Sequence, residues 1–261
     1  MNDTDPRLGA MVLLGEDFDE YGTISSARVG SRAAVAISVG SDQNSPSAQF
    51  KHDPTVMNED ALCIIEGGTW AGYAVADAHY GPESSHMLIS RLDKIWAKVQ
   101  PNDLNHLGQM LDFLRQGDPA RTDSETTLLV AVYDRVKRTG FGFSFGDSSF
   151  VVAGPGRTAQ AVNEKDSRYV TTRVSSSMRG GNPFQFSAEE GDVLLAFTDG
   201  IDECHYRNPQ TSVQPHHIAD IAEAANGDSQ QVVTELSTLA LAGVDGNPGG
   251  QDNIAVICAQ A

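Results

Sequence analysis

Cysteine is scarce: three residues in 261, Cys63, Cys204 and Cys258. They lie far apart, are odd in number and form no CxxC pair. That spacing argues against a disulfide framework and points to free thiols in a reducing compartment, the cytoplasm. Basic residues are also few, with 18 Lys plus Arg against 35 Asp plus Glu and a formal net charge of −17. A nucleic-acid backbone binder needs a positive footprint, so no nucleic-acid partner is expected. No apolar run approaches the roughly 18 residues of a membrane span, so no membrane partner is expected either. The opening MNDTDPRLGA lacks the basic and apolar stretches of a signal peptide. There is no internal repeat of the solenoid or propeller kind and no Pro-rich or Ser/Gly-rich linker. Residues 1–261 are therefore read as one domain.

What is present is an ordinary globular composition, 40% hydrophobic and 20% charged. Short apolar runs bounded by Gly, Ser and Asp predict strands at Ala10–Leu14 and Ala33–Val39. Ser41–Pro54 reads as a polar loop, and Gly67-Gly68 as the turn of a hairpin between Ala61–Glu66 and Trp70–Ala76. The period then changes. Met87, Leu88, Leu92, Ile95, Trp96 and Val99 recur at helical spacing over Pro82–Val99. A second helix is expected over Asp103–Gln116, with Gly117 as its stop. Strands resume at Thr126–Tyr133, Gly140–Phe145 and Phe150–Ala153. Asn163–Pro183 reads as polar and irregular. A strand at Val193–Phe197, helices at His216–Ala225 and Gln230–Ala242, and a strand at Ile254–Cys258 complete the order. Strand blocks separated by helix pairs predict an α+β domain, two sheets with helices packed outside.

Excess carboxylates have a bland explanation, solubility, and a sharper one, divalent metal ligation. Their positions favour the second. Four acidic motifs fall at the edges of strand candidates: Asn58-Glu59-Asp60, Asp77-Ala78-His79-Tyr80-Gly81, Thr198-Asp199-Gly200 and Gln251-Asp252-Asn253. A lone Asp at a strand end is usually a turn former or a cap. Four in ordered short contexts are harder to dismiss. Converging carboxylates repel one another and need cations. An all-oxygen ligand set suits Mg²⁺, Mn²⁺ or Ca²⁺ rather than zinc.

The ordered series N-E-D, D-x-H-x-G, a T-T strand, G-D-S, T-D-G and a C-terminal D-N resembles the metal-dependent protein phosphatases. These are the PPM-type serine/threonine phosphatases, in their compact bacterial form. The motifs run from Asn58 to Ile254. The resemblance implies two antiparallel β-sheets packed as a sandwich and flanked by helix pairs, a four-layer α-β-β-α fold. It implies a binuclear Mn²⁺ or Mg²⁺ centre that activates water against phosphoserine and phosphothreonine. Asp77 would bridge both metals and the Ala78 carbonyl would ligate one of them. Asp199 and Asp252 would hold the other. Glu59 and Asp60 would act near the centre through bound waters, and His79 would protonate the departing oxygen. Partners would be phosphorylated proteins, the products of a Ser/Thr kinase. No GxSxG elbow, Cys-x5-Arg signature or P-loop offers a competing chemistry.

The chain also departs from that pattern. Thr55 stands where the family often carries a phosphate-gripping Arg, and Lys51 or an arginine from elsewhere could substitute. Ala78 replaces a usual glycine, so a left-handed backbone there would carry a cost. Asp118 and Asp123 are candidates for a third metal, against the alternative of a polar turn. Asp147 of G-D-S reads as a turn former, and Asp202 and Glu203 as helix caps. Arg157, Arg168, Arg173 and Arg179 fall where the family carries a variable flap; Arg168 and Arg173 are candidates for attracting substrate, against ordinary solvated arginines. Cys204-His205 and His216-His217 lack regular zinc spacing and read as surface histidines. Two other functions compete with the phosphoprotein phosphatase: a non-catalytic pseudo-phosphatase that binds a partner, and a phosphatase of a small phosphorylated metabolite.

Overall fold

The computed structural model describes residues 7–41, 56–114, 124–171 and 181–261. Its strands are β1 (Arg7–Leu14), β2 (Ser25–Val29), β3 (Ala33–Ser38), β4 (Ala61–Gly67), β5 (Trp70–Ala76), β6 (Ala78–His79), β7 (Glu125–Thr126) and β8 (Leu128–Asp134). They continue with β9 (Thr139–Phe145), β10 (Ser149–Ala153), β11 (Gln160–Ala161), β12 (Val170–Thr171), β13 (Asn182–Ser187), β14 (Val193–Phe197) and β15 (Ile254–Gln260). The helices are α1 (Glu83–Trp96), α2 (Leu104–Leu114), α3 (Pro215–Ala224) and α4 (Ser229–Ala242). One six-stranded sheet runs β1-β4-β5-β8-β9-β13 and the other β11-β10-β14-β15-β3-β2, with a small third sheet β12-β7-β6. Both large sheets pair antiparallel throughout.

The continuous apolar runs follow from burial on both faces. In β4, Leu62 and Ile64 face the opposite sheet, whereas Ala61, Cys63 and Ile65 face the helices. In β15, Ala255 and Ile257 point inward and Val256 and Cys258 point to the other helix pair. A strand alternates its faces, so a strand clothed on both sides reads as unbroken hydrophobicity. Helix α1 covers the first sheet with Leu88, Ile89, Leu92 and Trp96, and α2 adds Leu107 and Leu111. Helices α3 and α4 cover the second with Ile218, Val232, Val233 and Leu236. Asp228 caps α4, accepting from the Gln231 amide at 2.9 Å. The expected four-layer α+β sandwich is the observed one. All three cysteines are free and buried, as core residues.

Besides the two-residue β11 and β12, two longer edge strands differ from the sequence expectation. The first is β2; the second is β13, within and beyond a stretch read as irregular. In β13, Pro183 sits on a strand that closes its sheet, where a missing donor costs nothing. Phe184 and Phe186 lie over Gly142 and Gly140 of β9, and a Cβ at Gly140 would collide with the Phe186 ring. That ring stacks on Tyr133 at 6.0 Å and meets Phe150 at 4.7 Å, so it has little room to yield. Gly140→Ala should cost about 1–3 kcal/mol through overpacking. A urea midpoint equal to that of the parent chain would show that the edge strand gives way freely.

Strand direction decides where chemistry can gather. The start of β4, the end of β5, the starts of β8 and β10, the end of β14 and the start of β15 share one end of the sandwich. Each is flanked there by one of the polar motifs.

Candidate active site

Three carboxylates meet at that end. Ligand oxygens of Asp77, Asp147 and Asp199 all lie within 4.8 Å of one another. They come from the end of β5, the turn between β9 and β10, and the turn after β14. Asp77 and Asp199 are buried. Among the described residues no hydrogen bond reaches the buried Oδ1 atoms of Asp147 and Asp199. Burial first, then the charges of Asp77, Asp252 and Asp147, push the Asp199 carboxyl well above its ordinary range. Burial, with Glu203 and Asp202, raises Asp147 to about 6 against the opposing pull of Lys165. Without a cation, this cluster holds protons that ordinary aspartates would release.

Polar partners brace the backbone segments that carry these carboxylates. The Asp77 amide donates to Thr127 Oγ1 at 3.0 Å, and the Asp77 carbonyl accepts from the Thr127 amide at 2.8 Å and Thr126 Oγ1 at 2.9 Å. The T-T pair is therefore the bracket that aims Asp77. Thr127 Oγ1 also meets Ser148 Oγ at 2.9 Å, which ties the G-D-S turn to the same bracket. Thr198 Oγ1 donates to Asp60 Oδ2 at 2.7 Å and accepts from the Ala255 amide at 2.9 Å. Asp60 thus sits fully buried against the residue before Asp199. Glu59 Oε1 accepts from the Gly81 amide at 3.0 Å and closes the turn after His79. Asn253 spans three segments: its Oδ1 accepts from the Glu59 amide at 2.9 Å, and its Nδ2 donates to the Val39 and Met57 carbonyls at 3.1 Å. Asn253 thus orients the loop that carries Asp252.

Asp252 lies outside the three-carboxylate group, and its charge is felt at Asp199. Its Oδ1 accepts from the Asn253 amide at 2.8 Å. Ala78 is extended, paired with Thr126 in β6, so it carries no left-handed strain. The left-handed turn falls instead on Tyr80, φ 63°, and Gly81, φ 116°. The His79 ring meets Tyr169 edge-on at 5.1 Å. Tyr169 and the exposed Tyr206 each have a raised pKa, from burial first and then from nearby carboxylates that include Asp77 and Asp199. Arg168 is held by Asp166 and Asn182. Asp166 in turn clasps Gly146, accepting from its amide at 3.0 Å and donating its own to the Gly146 carbonyl at 2.8 Å. Thr55, Asp118, Asp123 and Arg173 lie outside the described residues.

Two residues emerge that the sequence reading did not assign to the site. Asp147 does shape a turn, with Gly146 at φ 90°, yet its carboxylate joins Asp77 and Asp199. Lys165 reaches Asp202 Oδ1 at 2.8 Å. Asp202 and Glu203 cap no helix, because 198–206 is a run of turns. Asp202 Oδ2 instead accepts from Ser149 Oγ at 2.9 Å.

Residues 84–261 match the family described as Stage II sporulation protein E (SpoIIE). The chain belongs to the SpoIIE family. The matched stretch of this SpoIIE-family chain carries Asp147, Asp199 and Asp252 and begins after Asp77. No curated protein shows significant similarity to it. Among solved structures, the catalytic domain of the serine threonine protein phosphatase PstP in complex with 2 manganese ions is similar at TM-score 0.64 and 18% identity, over 91% of this chain and 99% of that one. The Mycobacterium tuberculosis serine/threonine phosphatase PstP/Ppp gives 0.63 and 17%, over 91% and 98%. RsbX in complex with magnesium gives 0.58 and 14%, over 91% and 99%. At these identities the likeness is one of fold. The SpoIIE-family chain has the PPM-type phosphatase fold that its motifs suggested.

Proposed function

We propose that the chain is a metal-dependent phosphatase that hydrolyses phosphoserine and phosphothreonine on proteins, using water activated at a binuclear centre. The three-carboxylate group of Asp77, Asp147 and Asp199 carries this reading. Its donors are all oxygen, and two of its buried oxygens have no donor among the described residues. That chemistry fits Mn²⁺ or Mg²⁺. It also accords with the ions named for PstP and RsbX.

Asp77, the Ala78 carbonyl, Asp199 and Asp252 would hold two ions, with Asp147 added to the set and Glu59 and Asp60 behind it. Such ions supply Lewis acidity toward the phosphoryl group and the attacking water. The chain's own residues do the rest. Thr126 and Thr127 fix Asp77, and Thr198 and Asn253 fix the turns that carry Asp199 and Asp252. His79, with Nδ1 buried, would deliver a proton from Nε2 to the departing Ser or Thr oxygen. Substrates would be the products of a Ser/Thr kinase. The free, buried cysteines favour a cytoplasmic location. Among the described residues no helix is long and apolar enough to cross a membrane. The central core shared by both sheets supports reading 1–261 as one domain.

Hydrolysis of a phosphothreonine peptide, with Mn²⁺ and after chelation, tests this reading. Turnover should require metal. Mn²⁺ at about 100 times its Kd should also stabilise the fold by about 2.7 kcal/mol. Metal binding without turnover on any phosphate ester would indicate a pseudo-phosphatase. Turnover confined to small phosphate esters would indicate a metabolite phosphatase.

A further inference from the structure

We propose that Lys165 is a positioning residue: a tethered counter-cation that holds the acid centre together without metal and lowers its affinity for divalent ions. The inference rests on the metal-dependent reading above. Lys165 lies between β11 and β12, in a polar stretch with no periodicity. Its Nζ is 2.8 Å from Asp202 Oδ1 and 3.5 Å from Glu203 Oε1. Both partners belong to the turn that carries Asp199, and the Glu203 amide donates to the Asp199 carbonyl at 2.6 Å. The other Asp202 oxygen is bound by Ser149, two residues beyond Asp147. The ammonium thus joins its own segment to the 198–203 turn, and Asp202 passes the link on to Ser149 at the start of β10.

An exposed lysine-carboxylate pair is worth little. The position of this one gives it weight. Asp77, Asp147, Asp199, Asp202 and Glu203 crowd one end of the sandwich, and Lys165 sets a positive charge among them. Burial works to lower the Lys165 pKa, but Asp202, Glu203 and Asp199 outweigh it and raise it, so the ammonium stays charged. The same charge draws the Asp147 carboxyl downward. A fixed positive charge here offsets carboxylate repulsion in the metal-free protein. It also repels an arriving Mn²⁺ or Mg²⁺. The two effects have opposite signs when the charge is removed. A residue that merely strapped the loops together would weaken both fold and metal site on removal.

The test is Lys165→Met and Lys165→Arg, each stripped of metal. Melting in EDTA and calorimetric titration with MnCl₂ are the readouts, and neither needs activity. Lys165→Met should melt below the parent in EDTA yet bind Mn²⁺ about tenfold more tightly. Lys165→Arg should restore both values. Lys165→Gln carries the same expectations as the Met variant and replaces it if that variant does not fold. Mn²⁺ affinity that is unchanged or weaker in the charge-free variants overturns the proposal. Binding by the Met variant alone would support Lys165 as counter-cation while sinking the phosphatase reading of the parent. Binding by neither overturns both.

Discussion

Asp199→Asn is expected to lower metal-dependent hydrolysis by about 10³-fold or more, roughly 4 kcal/mol of transition-state stabilisation. The same change should raise the melting temperature of the metal-free chain. Both outcomes follow from one geometry. Asp199 is buried, and its ligand oxygen lies within 4.8 Å of those of Asp77 and Asp147. Ionising it there, beside Asp77, Asp252 and Asp147, is unfavourable unless a cation is present. Asn removes the charge and nearly keeps the shape, so the metal-free fold gains while the ligand is lost. Thermal melts in EDTA, beside turnover in Mn²⁺, read the two effects separately. Hydrolysis at the parent rate would exclude Asp199 from the centre. A lower melting temperature in EDTA would mean that its oxygens make structural bonds that Asn cannot replace.

At the opposite end of the sandwich, Arg135→Met is expected to cost about 3–5 kcal/mol at pH 8 and clearly less at pH 5. Arg135 follows β8 and binds Glu66 of β4 in a buried ion pair, with side chains only 5% and 3% exposed. It also donates from Nη1 to the Gln260 carbonyl of β15 at 2.8 Å, and so joins the two sheets. Burial raises Glu66 from 4.5 to about 7 despite the guanidinium beside it. Between those values the folded chain holds a proton that the unfolded chain has released. Stability therefore falls as pH rises through that window, by about 3 kcal/mol in all, and the loss is complete above it. Glu66→Gln should remove this slope. Arg135→Met leaves the carboxylate alone, which is worst when Glu66 is charged and mildest when it is protonated. Urea midpoints at the two pH values decide. An equal loss at both would assign the effect to packing of the arginine stem and not to charge.

Much of this architecture could be read from the chain. Runs such as those of β4, β8 and β15 are long enough and apolar enough to be strands clothed on both faces. The spacing of Leu88, Leu92 and Trp96 marks α1, and the leucines of α2 mark its face. The strands absent from the sequence expectation, β2, β13 and the two-residue β11 and β12 among them, all lie at sheet edges. An edge has less to bury and tolerates Ser, Arg and even Pro183, so its pattern fades. Asp77 and Asp199 stood out because each ends an apolar strand within a recognisable short motif. Asp147 looked like a turn residue and is one; nothing local says that its carboxylate also enters the cluster. Lys165 had no pattern at all.

Local sequence determined the layers, the order of elements and the end of the sandwich at which acid would collect, because periodicity and turn chemistry act over a few residues. Only the tertiary structure decided which oxygens come within a cation's reach. It also decided which lysine faces them, and that Glu66 meets Arg135 out of water. Those distances join residues far apart in the chain. They are set by the register of antiparallel strands and by packing between sheets, which no short stretch of sequence contains.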